Sequence, residues 1–343
     1  MCRLMRMRKF RTGKIPTDIL IRTVLQYTGR RDRSVILGSS IGEDAALISF
    51  GGKVLVFTTD PVTGTASDIG WLSVHINAND VACRGARPRW FLCDLLLPEL
   101  SDARTVKAIM KRVDTASKEL GVAVVGGHTE VTPGLKRPIV VGYMVGVVDK
   151  ERFVTSSGAR PNHDLILTKS AGIEGTALLA MDFSRKTEVD EKLLARAKSM
   201  RHSISIVEDA MTAIRVGGVH AMHDPTEGGV LQGIWEIAEA SKVGFTVHES
   251  KIAIRPETKV ICELHHVDPL RLMSSGCLLI AADNQKSNRI VRRLEQRGIE
   301  AQIIGRFTDR NKGRRLVRLD GSTKKIRASE RDELYRVIET QAS

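Results

Sequence analysis

A two-domain α/β fold is what the sequence predicts, on three observations. The chain has 343 residues, 42% hydrophobic and 27% charged, which is enough for two cores rather than one. Short apolar runs of strand length alternate with longer stretches of helical spacing. Apolar periodicity lapses at Thr155-Ser156-Ser157-Gly158-Ala159-Arg160-Pro161, which separates a first domain at 1–155 from a second at 160–325, with a terminal helix and tail at 326–343.

In chain order, Pro16 to Tyr27 has helical spacing, and Lys14 stands just ahead of it beside Gly13, where a lysine could reach a phosphate. The acidic loop Gly38 to Ala46 carries Glu43 and Asp44 in front of an alternating strand that ends at Phe50. Val54 to Phe57 reads as a buried strand stopping at Thr58-Thr59-Asp60, with Pro61, Gly64 and Ser67 as loop. Asp60 is therefore expected at a strand's C-terminal edge, where open α/β sheets hold ligands. Asp68 is placed to cap the next helix. On that helix Ser73, Asn77, Asp80 and Arg84 fall on one stripe among largely apolar positions. Buried polar groups in line must be met by partners from outside the helix.

Trp90 to Leu97 reads as a strand, Asp102 to Leu120 as a helix, and Val122 to Val125 as a short buried strand. That strand ends in Gly126-Gly127-His128-Thr129-Glu130, a turn suited to a phosphate or metal contact. A strand at Ile139 to Val148 completes the first half. The second half runs through strand Leu165 to Thr168, helix Ala177 to Met181 and helix Ile204 to Val216. A strand then ends at Asp224-Pro225-Thr226-Glu227-Gly228-Gly229 and leads into a helix that extends to Ser241. Strand Cys277 to Ala282, helix Gln285 to Arg297, strand Ala301 to Phe307 and a basic strand Arg314 to Leu319 follow.

Composition excludes several classes. The basic run MCRLMRMRKFR lacks an apolar core of signal-peptide length and no stretch approaches a membrane span, so the expectation is a cytoplasmic protein without membrane contact. Cys2, Cys83, Cys93, Cys262 and Cys277 are scattered with no C-x-x-C pair, which argues against a zinc site or a disulfide framework. The net charge of +13 belongs to the ends: residues 286–327 hold fourteen Lys/Arg against four acids. With 4% aromatic residues and none interleaved with the basic runs, nucleic-acid binding is not indicated.

Asp44, Asp60, Asp80 and Asp224 stand at comparable places beside strands or on the helix stripe. If they converge, each carboxylate pair at about 4 Å repels by about 4 kcal/mol at an effective dielectric of 20, so a divalent cation is needed to hold them together. Hard oxygen donors with no Cys or His cage nearby point to Mg²⁺, which typically takes a few carboxylates plus nucleotide phosphates.

Gly42-Glu43-Asp44-Ala45-Ala46, Thr58-Thr59-Asp60, Asn77-Ala78-Asn79-Asp80, Gly126-Gly127-His128-Thr129-Glu130 and Met222-His223-Asp224-Pro225-Thr226-Glu227-Gly228-Gly229 resemble, in order and spacing, the motifs of the aminoimidazole ribonucleotide (AIR) synthase superfamily. The second half is most similar to its HypE-like hydrogenase maturation branch, through Asp224-Pro225-Thr226, Glu236 to Ser241, Asp268-Pro269-Leu270 and Ser275-Gly276. The resemblance implies two α/β domains, a homodimer whose N-terminal sheets close into a barrel, and Mg·ATP held near the protomer contact. It implies metal binding by Asp44, Asp80 and Asp224, with nucleotide contacts from Asp60, Thr59, Asn77, Gly126, Gly127, His128 and Glu130. Asp80 and Lys14 are the implied catalytic residues.

The shared chemistry is attack of an amide, carbamoyl or phosphate oxygen on the ATP γ-phosphate, by positioning and charge neutralisation rather than a covalent nucleophile. A small-molecule kinase or ligase of the thiamine-monophosphate kinase or AIR synthase type, and a non-catalytic ATP-binding regulator, are the alternatives. In the HypE-like branch a cysteine at the extreme C-terminus accepts the carbamoyl group. This sequence reads Ile338-Glu339-Thr340-Gln341-Ala342-Ser343 there and has no thiol after Cys277, so the expected acceptor is a free small molecule or a group on a partner protein.

Overall fold

The structure, a computed structural model, describes residues 10, 13–15, 17–63, 68–184, 189–329 and 331–342. Cys2, the basic run 1–9, Pro16, the loop positions Gly64 and Ser67, and Ser343 lie outside the described residues.

The first half comprises α1 (Thr17–Thr23), β1 (Val35–Leu37), β2 (Ala46–Phe50), β3 (Lys53–Val62), α2 (Ile69–Cys83), β4 (Arg87–Leu97), α3 (Ala103–Leu120), β5 (Ala123–Val131) and β6 (Ile139–Asp149). Its six strands are ordered β1-β2-β3-β6-β4-β5, antiparallel throughout except for the β4–β5 pair, which α3 connects as a crossover. Asp60 thus lies in a mainly antiparallel sheet rather than at the C-terminal edge of a strand in an open α/β sheet. β3 does not stop at Asp60 but continues through Pro61 to Val62, paired with β6 along its whole length. β2 leaves it after Phe57, so beyond that point β3 has an open side where a proline lacking an N–H is tolerated.

β5 departs further from expectation. It is a nine-residue edge strand, exposed along its length, and the two glycines lie inside it rather than in a turn after it. Gly127 has φ 147°, and a Cβ there would collide with the Cys93 carbonyl of β4, so no other residue fits that register.

The second half adds β7 (Asp164–Thr168), α4 (Ile173–Asp182), α5 (Glu191–Ser199), α6 (Val207–Val216), β8 (Val219–His223), α7 (Gly229–Ala240), β9 (Gly244–His248), α8 (Pro256–Leu264), β10 (Leu279–Ala282), α9 (Asn284–Glu295), β11 (Ala301–Thr308), β12 (Arg314–Val317), β13 (Thr323–Lys325) and α10 (Glu333–Ala342). Its seven strands are ordered β13-β12-β9-β11-β7-β10-β8. One hydrophobic cluster runs from the first sheet through α2 and α3 to α6, α9 and one face of the second sheet, including Ile166, Met222 and Ile280. The two halves thus share a core, with α2 between them.

Helix α2 is buried all round, as its apolar sequence requires. Asp68 holds its N-cap position without a capping bond. It is drawn instead into ion pairs with Arg112 at 2.6 Å and Arg201 at 2.9 Å, a tertiary pull that outcompetes the local cap. By contrast Asp102 caps α3 through the Thr105 N–H at 2.8 Å, and Ile109, Val113 and Ala116 bury one side of that helix.

His75 gives α2 a pH dependence. Its ring lies tilted against Trp71 with centroids 3.9 Å apart, Nε2 faces Glu119 at 3.3 Å, and Nδ1 is buried with no partner. Burial drives its pKa down to about 4, against the pull of Glu119, because a second proton would have no acceptor. The unfolded chain takes up this proton near pH 6.5, so the contribution is present above that value and is lost as pH falls towards 4. Between pH 7 and pH 5 it amounts to about 2 kcal/mol of stability. Denaturant titrations should show His75→Gln losing less stability than the parent over that interval; equal losses would contradict this.

Candidate active site

Three of the four stripe residues are met from outside α2, while Ser73 donates to the Gly70 carbonyl of its own helix at 3.0 Å. Asn77 accepts from the Asp60 N–H at 2.9 Å, donates to the Asp60 carbonyl at 3.3 Å, and also donates to the Ser73 carbonyl at 2.8 Å. Gly142 of β6 leaves the space that the Asn77 amide occupies. Asp80 accepts from the Thr58 hydroxyl at 2.7 Å, and the same hydroxyl lies 3.0 Å from the Asp44 carbonyl. Arg84, fully buried, pairs with Glu43 at 2.5 Å and Asp44 at 2.6 Å and donates to the Ser156 hydroxyl at 2.9 Å. The stripe is thus the inner wall of an acidic site built from β3, the 42–45 loop and the end of β8.

From the second half, β8 ends in His223 and Asp224. His223 places Nδ1 2.8 Å from Asp44 Oδ2 and Nε2 2.8 Å from Glu236 Oε2 on α7. With a carboxylate at each nitrogen, the ring is held as an imidazolium. Burial opposes the charge, yet the two carboxylates keep its pKa well above the usual histidine range. His223 therefore acts as a cation, with no nitrogen left for a metal. The expected absence of nearby His and Cys is corrected: His223 contacts Asp44, and the Cys83 thiol lies 3.6 Å from Asp224 Oδ1.

The carboxylates divide by environment. Burial is the largest influence on Asp44 and pushes it up, but His223, Arg84 and Lys14 together hold it below the usual range. Asp224 has no such partner on Oδ2, which is buried without a hydrogen bond, and burial followed by Asp44 raises its pKa to about 6. Burial, opposed by Lys14, takes Asp60 to about 6 as well. Burial and then its three acidic neighbours Asp60, Asp224 and Asp44 lift Asp80 well above the carboxylate range. Asp44 and Asp224 present carboxylate oxygens within 4.8 Å of each other. Crowded oxygen donors with an orphaned buried carboxylate oxygen fit a hard divalent cation.

Lys14 closes the site. Its ammonium reaches the Thr226 hydroxyl at 3.3 Å, and its N–H donates to Glu227 at 3.1 Å. Tyr335 of α10 donates to the other Glu227 oxygen at 2.9 Å, and Asp332 accepts from the Gly228 N–H at 2.6 Å. Burial would lower the Lys14 pKa, but Glu236, Glu227, Asp60 and Asp44 raise it.

The structure brings together Lys14, Asp44, Asp60, Asn77, Asp80 and Asp224. Thr59 is exposed, on the opposite face of β3 from Thr58 and Asp60. Gly126, Gly127, His128 and Glu130 sit on β5, three strands from β3, about 14 Å away at the usual strand spacing. His128 and Glu130 are exposed there and face each other at 3.3 Å. Residues that the sequence reading missed are Thr58, Arg84 as the Asp44 partner, His223, Glu236 and Tyr335. The period-two alternation of β3 carries the signal for Thr58.

Among the described residues no helix is long and apolar enough to cross a membrane. Residues 42–148 match the family model for the AIR synthase related protein N-terminal domain, and residues 160–318 match its C-terminal domain. Carbamoyl dehydratase HypE of Cupriavidus necator is 30% identical over 286 residues, covering 81% of this chain and 79% of that protein. The crystal structure of E. coli HypE superposes with a TM-score of 0.74 at 25% identity, covering 82% of this chain and 88% of the other. A HypE crystal structure in complex with ATP superposes at 0.71 and 21% identity, covering 94% and 98%. The chain belongs to the AIR synthase-related family, in its HypE-like branch.

Proposed function

We propose that this chain is a cytoplasmic ATP-dependent enzyme that activates an amide or carbamoyl oxygen by phosphorylation, with Mg·ATP held in the acidic site. The observation that carries the reading is the convergence of Asp44, Asp60, Asp80 and Asp224 at one largely buried site where Asp224 Oδ2 has no hydrogen-bond partner. The HypE relative is named a carbamoyl dehydratase, and a second HypE structure is an ATP complex, which supports the same chemistry here.

In this mechanism the acceptor oxygen attacks the γ-phosphorus and the bond to the β-phosphate oxygen breaks, releasing ADP. For a carbamoyl group, loss of the phosphorylated oxygen as phosphate and of two N–H protons leaves a nitrile. Asp44, Asp80 and Asp224 would hold Mg²⁺, which when bound supplies charge neutralisation on the phosphates. Thr58 fixes Asp80, Arg84 and His223 fix Asp44, and Lys14 offers a point charge to a phosphate. No covalent nucleophile is required. The described cysteines are all buried and free, and burial raises the pKa of each. Among the described residues no cysteine is exposed to accept the group, which favours a free small molecule or a group carried on a partner protein as the acceptor.

The test is ADP formation by the purified chain with Mg²⁺, ATP and separate carbamoyl, formamidine and phosphate-ester acceptors. A Mg²⁺-dependent, carbamoyl-dependent rate is expected. ATP binding without turnover on any acceptor would reduce the chain to a nucleotide-binding protein, and turnover on the phosphate ester alone would make it a small-molecule kinase.

The exposed β5 edge supports a homodimer in which this strand meets a second copy and the two first-half sheets close into a barrel. Val124, Val125 and Val131 lie 41%, 55% and 55% exposed on it, on an open strand edge of the kind that pairs. Such a contact would also carry Gly126 to Glu130 towards the acids of the partner. Light scattering at micromolar concentration should give the dimer mass, and Val125→Arg should shift it to monomer. A monomeric parent protein would refute this arrangement.

A further inference from the structure

An open cavity of about 420 Å³ lies against α7, lined by Trp235, Glu239, Arg310, Arg314, Lys325 and Arg327 among others. Glu236, which faces the acidic site through His223, is one residue along from Trp235, so the cavity opens about 100° round the helix from that site. Its wall at 325–329 continues to Gln232, whose side chain accepts from the Ser329 N–H at 2.7 Å.

The cations here are of two kinds. Arg314 is used within the fold: it pairs with Glu239 at 2.6 Å and lies over the Trp235 ring at 5.1 Å. Lys312 and Arg318 nearby pair with Asp309 and Glu249. Arg310, Lys325 and Arg327 take part in no ion pair among the described residues, and all three are exposed at the cavity. The single acid in the lining, Glu239, is already spent on Arg314. Three unneutralised cations thus surround one concavity, within the basic 286–327 segment whose charge the phosphoryl-transfer chemistry leaves unused.

We propose that this cavity is a second anion site, which takes a compact ligand with two or more adjacent negative charges, of the phosphate-ester or pyrophosphate class. Its volume falls within the roughly 300–1,000 Å³ of small-molecule pockets. The cations ring a hollow rather than tracking along a stripe, which suits a small polyanion and not a nucleic-acid strand. Two arginine forks and a lysine are the donors that such a group recruits. The site is separate from the acidic pocket, where crowded carboxylates repel a metal-free phosphate.

The experiment is calorimetric titration of the full chain with inorganic pyrophosphate without added Mg²⁺, alongside Trp emission as a reporter of Trp235. A saturable isotherm is expected, weakened by added salt. The double variant Arg310→Ala/Lys325→Ala, at two exposed positions, should raise the pyrophosphate Kd ten-fold or more while leaving Mg·ATP affinity unchanged. Asp80→Asn should leave the pyrophosphate isotherm intact, so failure of this site and failure of the ATP reading are distinguishable. No saturable binding by the parent chain, an unchanged Kd in the double variant, or loss of the isotherm in Asp80→Asn would each overturn the proposal.

Discussion

Asp80→Asn is expected to lower Mg·ATP affinity by about 100-fold or more, since it removes one charge from a set of carboxylates that a divalent cation would hold together. The same substitution should make the ligand-free protein more stable. Asp80 is buried among Asp60, Asp224 and Asp44, with the Thr58 hydroxyl as its hydrogen-bond donor, so its charged form is opposed both by desolvation and by like charges. An isosteric amide removes that opposition and keeps the Thr58 bond, and a gain of about 1–2 kcal/mol follows. Calorimetry gives both readouts on one sample. Unchanged Mg·ATP affinity would remove Asp80 from the site, and a loss of stability would show that the carboxylate is doing structural work.

Arg84→Met should destabilise the fold by about 3–5 kcal/mol, because it strands two buried carboxylates without their cation. Arg84 is fully buried, and its partners Glu43 and Asp44 have side chains only 4% and 15% exposed. Arg84→Lys should recover only part of the loss. A lysine carries the charge, but it cannot reach Glu43, Asp44 and the Ser156 hydroxyl at once with a planar fork. Denaturant unfolding decides it, and a cost below about 1 kcal/mol would mean that His223 alone neutralises Asp44.

The site was legible where a spacing rule and a chemical demand coincide. The stripe of Ser73, Asn77, Asp80 and Arg84 follows helical periodicity, and buried polar groups require partners, so the need for partners from outside the helix could be read directly. Thr58 was hidden by its neighbour Thr59, which strand alternation turns to the other face. His223 stands in the Met222 to Gly229 motif, but its positive charge depends on Glu236 approaching from α7, which sequence spacing does not show. The edge character of β5 was invisible for a related reason. Val122 to Val125 has the apolar look of a buried strand, and an edge awaiting another surface has the same composition. Asp68 shows a local rule losing to distant arginines.

The clamp at Glu227 bears on how the protein is made. Lys14 and the acids Asp44, Asp60 and Asp80 leave the ribosome early, whereas His223, Asp224, Glu227 and Tyr335 follow much later. A growing chain therefore carries the crowded carboxylates before the imidazolium that neutralises Asp44, before the Glu227 carboxylate that accepts from the Lys14 N–H, and before the Tyr335 phenol that donates to Glu227. The acidic cluster cannot be completed on a partly synthesised chain, because its last members come from β8 and α10.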